Sequence, residues 1–237
     1  MDRTKDKVIE LQGACYAYDG EIALRYIDLD VYRHEAVSLM GGNGCGKSTL
    51  IRMLNGLIFP EEGKYIYEGR EITAKKMQDN KFSKWFHQQV GYVFQNSDAQ
   101  LFCATVEDEI QFGPLQMGLS EEEAAERTED VIRLLELSKL RNRAPYHLSG
   151  GEKRKTALAC VLSMNPKVLI LDEPLAGLDQ KTQEWLVDFL VRLRDSGKTI
   201  ITATHNMRFA ERLSDRIVEM NEDHRIERIR SVRQDLG

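Results

Sequence analysis

The sequence predicts an α/β fold built on a largely parallel sheet, and two observations carry that prediction. Short apolar runs such as EAVSLM (35–40), KVLILDEP (167–174) and KTIITATH (198–205) alternate with stretches of helical spacing. One junction, GGNGCGKST at 41–49, sets G-x-x-x-x-G-K-[ST] directly after a strand pattern and before a helix pattern. A second anion cradle is written at 148–155, where LSGGEKRK puts a serine and two glycines at a helix start. One chain with two such cradles needs explaining.

The elements follow in order. VIELQGACYAY (8–18) and IALRYIDLDVY (22–32) are rich in β-branched and aromatic residues, and the Asp19-Gly20 pair between them marks a turn. EAVSLM is a buried strand ending at Gly41. The helix from Gly46 shows apolar spacing at Leu50, Met53, Leu54 and Leu57. FPEEGKYIYEG returns to turn and strand, and QQVGYVFQN is a further strand. Residues 97–147 change character and read as a helical insertion. TVEDEIQFG opens with Thr105 as N-cap and Asp108 three residues on, and Ser120 with Glu123 forms a capping box. The acidic run 121–123 is explained by the helix macrodipole without any binding role. The helix after LSGGE stops at Asn165-Pro166, and 180–195 is amphipathic and closed by Gly197. A helix and strands around the turn NEDH finish the chain. The whole, 1–237, is expected as a single domain.

Composition narrows the function classes. The 237 residues include 42% hydrophobic ones, enough for a sizeable core, and the net charge of −5 does not suggest nucleic acid as a partner. The cysteines Cys15, Cys45, Cys103 and Cys160 form no C-x-x-C pair, so neither zinc nor a disulfide framework is suggested, and scattered thiols fit a reducing cytosol. The charged start MDRTKDKVIE is not a signal peptide, and no apolar run approaches the roughly 20 residues of a membrane span. A membrane role is therefore expected to act through a partner.

The first cradle has a definite chemistry. Its glycines let backbone N–H groups turn in around phosphates, Lys47 reaches the β- and γ-phosphates, and the Ser48 hydroxyl is a ligand for Mg²⁺. A plain helix-capping turn has no need of lysine and serine there. LILDEP supplies the other half: Asp172 ends a hydrophobic strand, where a carboxylate holds Mg²⁺, and Glu173 beside it can orient and deprotonate water. No N-K-x-D guanine motif is present, and a kinase has less use for its own water-activating glutamate.

With YVFQN (92–96), LSGGE (148–152), LAGLD (175–179) and TATHN (202–206) in this order, nearly the whole chain resembles the ATP-binding-cassette (ABC) ATPases. The resemblance implies an ABC-ATPase fold: a RecA-like core, an antiparallel β-subdomain and a helical subdomain. It also implies ATP with Mg²⁺, and two subunits, identical or paralogous, paired head to tail. Each ATP would lie between one subunit's P-loop and its partner's LSGGE, which accounts for two cradles in one chain. Gly41, Gly42, Asn43, Gly44, Cys45, Gly46, Lys47, Ser48 and Thr49 match the P-loop. Tyr18 fits the adenine-stacking aromatic, with Tyr16 as competitor. Gln95 fits the Q-loop glutamine that touches Mg²⁺, and Ser149, Gly150 and Gly151 fit the signature reaching the γ-phosphate in trans. Asp179 fits the D-loop and His205 the switch histidine; the catalytic set is Glu173, His205, Gln95 and Lys47. His34, His87, His147 and His224 match nothing. Gly42, Leu175 and Asn206 depart from common residues of the family, and Cys45 is expected to be sensitive to alkylation.

A narrower resemblance follows the Q-loop. FQNSDAQLFCATVEDEIQFGP is similar to ATPases of energy-coupling-factor and cobalt/nickel importers. It implies a transmembrane coupling subunit, a separate substrate-binding membrane subunit, and a place at the cytoplasmic face of the membrane. Residues 95–109 are expected to form the socket, with Asp98 as an acidic rim and Leu101 and Phe102 as an apolar floor. An extra C-terminal dimerisation region is not expected after RIERIRSV. A soluble assembly factor, for example in iron–sulfur assembly, and an exporter ATPase are the alternatives.

Overall fold

The computed structural model describes residues 6–232. The expectations about a signal peptide and a C-terminal extension involve residues 1–5 and 233–237, which lie outside the described residues. In chain order the elements are β1 (Lys7–Tyr18), β2 (Glu21–Tyr32), β3 (Ala36–Gly41), α1 (Lys47–Leu54), β4 (Glu62–Tyr67), β5 (Arg70–Glu71), α2 (Ala74–Met77), α3 (Asn80–Gln89), β6 (Val90–Val93), α4 (Val106–Gln116), α5 (Glu121–Leu134), α6 (Gly150–Ser163), β7 (Val168–Asp172), α7 (Gln180–Asp195), β8 (Thr199–Ala203), α8 (Met207–Leu213), β9 (Arg216–Met220) and β10 (Ile226–Ser231). The chain divides into two compact units, Met1–Ser83 with Val187–Gly237, and Lys84–Leu186.

In the first unit, β1 and β2 form an antiparallel hairpin whose last pair is Tyr18 with Glu21. Asp19 and Gly20 both take positive φ, as the tight turn demands. β4 pairs antiparallel with the other edge of β1 and carries β5 beyond it, giving the order β2-β1-β4-β5. Tyr65 and Tyr67 on β4 are fully buried, and the Tyr65 hydroxyl donates to the Leu54 carbonyl at the end of α1, 2.7 Å away. An aromatic ring with a satisfied hydroxyl thus fastens the antiparallel sheet to the helix that follows the first cradle. β3 lies between β8 and β9, parallel to both, and β10 runs antiparallel on β9. All five residues of β8 and the first five of β3 are buried, as a strand covered on both faces requires.

In the second unit, β6 and β7 pair in parallel, and every residue of β7 is buried. A Cβ on Gly91 would fall 2.4 Å from a Val161 methyl carbon, so β6 meets α6 in direct contact. The segment 97–147 holds α4, α5 and short 3-10 turns, with no strand. Thr105 caps α4 by accepting from the Asp108 N–H, and Ser120 with Glu123 completes a reciprocal capping box on α5.

Two helices lacked a clear sequence signal. α2 buries no residue and carries no apolar stripe, whereas α3 has a short one at Phe82, Trp85 and Phe86 that its lysine- and glutamine-rich surroundings obscure.

Candidate active site

The first half-site grows from β3. After its buried run the chain turns through Gly41, Gly44 and Gly46, all at positive φ, into the N-terminus of α1. Gly46 cannot be replaced: its φ is +104°, and a Cβ there would lie 2.4 Å from the Ala23 carbonyl oxygen. Lys47 is 92% buried, being 8% exposed, and its Nζ donates to the carbonyl oxygens of Gly41 and Gly42 at 2.9 and 2.8 Å. The ammonium therefore closes the loop onto itself and is already positioned over it. Asn43, Gly44 and Ser48 are exposed, and Thr49 is half-buried. Cys45 is buried beneath the loop, 3.8 Å from Lys47 Nζ. That burial counts against the expected alkylation, because reagents reach a thiol only when the loop opens.

Tyr18, at the end of β1, is exposed, and its hydroxyl accepts from Arg52 of α1 at 3.4 Å. Its ring meets Tyr16 edge-on, with centroids 4.9 Å apart. A cavity of about 550 Å³ in the same unit is lined by Tyr16, Ile22, Leu24, Glu61 and Arg225, among others, but not by Tyr18. Burial pushes the Tyr16 hydroxyl above its ordinary pKa. His205 is exposed just past β8, and Asn206 caps α8 by accepting from the Phe209 N–H at 3.0 Å. Asparagine at 206 thus keeps the cap that an aspartate would supply.

The remaining candidate residues lie in the second unit. Asp172 ends β7 and is buried, and Glu173 next to it takes the left-handed conformation at φ +42°. A non-glycine residue held there costs about 1–2 kcal/mol, so the surrounding structure over-determines this carboxylate's direction. Gln95 is exposed just beyond β6, and its backbone is pinned. Arg154, buried on α6, donates to the carbonyl oxygens of Phe94 and Gln95, each at 2.6 Å. Burial lowers the Arg154 pKa, and the charge of Asp172 opposes that. Gln100 adds a second strap: its Oε1 accepts from Phe94 N–H and its Nε2 donates to the Ala157 carbonyl of α6.

The signature forms the N-terminus of α6. Ser149 Oγ accepts from Glu152 N–H at 3.3 Å, and the Glu152 carboxylate accepts from Ser149 N–H at 2.7 Å. This reciprocal box leaves the Ser149 hydroxyl proton and the N–H groups of Gly150 and Gly151 for an anion. Gly151 packs against α7, since a Cβ would fall 2.9 Å from Thr182 Oγ1. Thr182 donates its N–H and hydroxyl to the Asp179 carboxylate at 3.0 and 2.6 Å, which holds that carboxyl below its usual pKa. Ser149, Gly151 and Asp179 line one cavity of about 620 Å³.

The expected socket differs in its details. Asp98 does not stand as a free acidic rim; it pairs with Lys153 of α6 at 2.5 Å. Phe102 is 68% exposed, as an apolar floor open to a partner requires, and lies edge-to-face with the half-exposed Phe112 of α4 at 5.1 Å. The turn beneath is organised by buried Glu109, which accepts from the N–H groups of Phe102 and Cys103. Arg154, Lys153 and Glu109 went unnoticed in the sequence. For Arg154 the available signal was a cation three residues beyond the glycines, in a helix that otherwise turns apolar.

A glycine-rich phosphate cradle after a buried parallel strand, joined in one chain to a second helix-start cradle, defines an α/β nucleotide-binding cassette. The sequence model of the ABC transporter family matches residues 24–176, and the chain belongs to that family. It is an ATPase with the ABC-ATPase fold, a family in which ATP hydrolysis is coupled to transport. The nickel import ATP-binding protein LarO of Lactiplantibacillus plantarum is 42% identical over 220 residues, 93% of this chain and 91% of LarO. The solved structure of CbiO1 from Clostridium perfringens, part of the ABC transporter complex cbiONQ, matches with a TM-score of 0.86 at 34% identity, covering 96% of this chain and 90% of that one. The dimeric ATP-binding cassette MJ0796 in a post-hydrolysis state with ADP and Pi matches with a TM-score of 0.84 at 28% identity, covering 95% and 99%. Among the described residues, no helix is long and apolar enough to cross a membrane.

Proposed function

We propose that this chain is the ATP-hydrolysing subunit of an importer of the energy-coupling-factor or cobalt/nickel type, driving uptake of a micronutrient, a metal ion or vitamin, by ATP-dependent closure of a dimer. The observation that carries the dimer is the presence of one P-loop and one preorganised signature per chain, two half-sites that serve two different nucleotides. In this reading Lys47 holds the β- and γ-phosphates and Tyr18 stacks on adenine, with Gly41 to Thr49 as the cradle. Glu173 takes the proton of the attacking water, and His205 and Gln95 steady the γ-phosphate and water. Ser149, Gly150 and Gly151 meet the γ-phosphate of the second subunit's ATP, and Asp179 borders that contact. Ser48, Gln95 and Asp172 offer hydroxyl, amide and carboxylate oxygens, hard donors that fit Mg²⁺. Held by these residues, Mg²⁺ would supply positive charge beside the phosphates.

The importer assignment is supported by the likeness to LarO and CbiO1 and by the surface after Gln95. Phe102 and Phe112 present exposed aromatic rings beside a turn tied to the signature helix through Asp98–Lys153 and Arg154–Gln95. A transmembrane coupling subunit bearing an apolar helix end suits that surface, and a separate membrane subunit would select the solute. The ATPase then sits peripherally at the cytoplasmic face of the membrane. Phe102→Ser tests this reading. Loss of co-purification with membrane subunits and of uptake, with ATPase activity of the isolated chain kept, is the expected result. Unchanged assembly and uptake would refute it.

A further inference from the structure

The signature ends in a carboxylate, Glu152, where a glutamine would build the same capping box without charge. That carboxylate is bonded to the backbone nitrogen of Ser149, the residue proposed to face a phosphate, and like charges at such range oppose anion binding. The cavity beside it carries four cations, Lys139, Arg143, Lys155 and Lys181. Lys155 is engaged elsewhere, 3.7 Å from Glu136 and over the Trp185 ring at 3.8 Å. Arg143, by contrast, makes no ion pair among the described residues, and it sits at the end of the 3-10 turn at 138–140, with its backbone N–H bonded to Leu140.

We propose that Arg143 is a positioning residue whose guanidinium offsets the Glu152 carboxylate, so that the Ser149–Gly151 cradle accepts the terminal phosphate of a nucleotide carried by a second copy. The Glu152 carboxyl is held below its usual pKa first by the Ser149 N–H, and Arg143 and Lys155 add to that. Glu152 is therefore ionised when the phosphate arrives, and the repulsion needs a neighbouring cation. The inference rests on the trans role of the signature proposed above.

The test is a double-mutant cycle in full-length chains carrying Glu173→Gln, reading the ATP concentration at half-maximal dimer formation by light scattering. Arg143→Ala should raise it about two- to fivefold at low salt, the size of a partly exposed charge interaction. High salt should shrink the effect, Arg143→Lys should restore most of it, and Glu152→Gln should make Arg143→Ala neutral. An equal cost in both backgrounds, or no cost in either, overturns the proposal. Thermal melts accompany each variant, and if Arg143→Ala melts early, Arg143→Gln takes its place in the cycle. Ser149→Arg separates the two ideas. If that variant still dimerises with ATP, or if the parent never does, the trans reading itself is wrong. If Ser149→Arg abolishes the dimer while the cycle is additive, only the role of Arg143 falls.

Discussion

Arg154 of the signature helix donates both terminal nitrogens to the loop that carries Gln95, bonding the Phe94 and Gln95 carbonyls at 2.6 Å each. These bonds tie the backbone of Gln95, a proposed nucleotide contact, to α6 within the second unit. Arg154→Met should leave two inward-facing carbonyls unpaired at about 1–3 kcal/mol apiece, lowering stability in urea titrations by about 2–4 kcal/mol. Hydrolysis should fall further than the stability loss explains, since Gln95 loses its fixed position. An unchanged denaturation midpoint would show that the strap contributes nothing.

Glu173→Gln should keep ATP binding and lower turnover by about 10²–10⁴, the usual worth of a general base. The amide keeps the shape of the left-handed residue, so folding should be unaffected, and an ATP-bound dimer should accumulate in size-exclusion chromatography. Turnover within about twofold of the parent would remove Glu173 from the role of base.

Lys47→Ala should weaken ATP binding in calorimetry and abolish hydrolysis. The structure adds a second effect, because Lys47 also ties the loop through the Gly41 and Gly42 carbonyls. The unliganded variant should therefore show faster alkylation of Cys45, now shielded beneath the closed loop. Retained affinity would count against the P-loop assignment.

Tyr18→Ala should weaken ATP and GTP alike, since stacking does not discriminate strongly between purines. Because Tyr16 rather than Tyr18 lines the first unit's cavity, Tyr16→Ala is the necessary comparison. A larger loss of affinity there would move the adenine contact to Tyr16.

Low pH should weaken the second unit. Glu107 is held below its usual pKa by Arg141, Glu152 by the Ser149 N–H and Asp179 by Thr182. Folded pKa values depressed in this way add stability above the unfolded value, about 4 for carboxylates, that is lost as pH falls through the folded one. Melting temperature should drop between about pH 5 and pH 2. Glu107→Gln should flatten that drop, and a pH dependence identical to the parent's would show that the Arg141 pair contributes nothing to it.

The sequence by itself determined what contiguous residues fix. Asp19-Gly20 set the hairpin, Gly41 to Thr49 the phosphate loop, Ser120 with Glu123 the start of α5, and Ser149 to Gly151 the second cradle. Each depends on backbone freedom or hydrogen bonds within a few positions, so spacing alone reveals it. α2 escaped because it buries nothing, and α3 because its stripe of Phe82, Trp85 and Phe86 is only three residues long amid lysines and glutamines. Tertiary structure alone decided the straps of the second half-site. Lys153 meets Asp98 across 55 positions and Arg154 meets Gln95 across 59, and at such separations one chain's spacing carries no trace of a pairing. The same folding paired the still exposed Asp98 with Lys153 and left Phe102 at the surface, because pairing and burial are set by what packs nearby rather than by the residue.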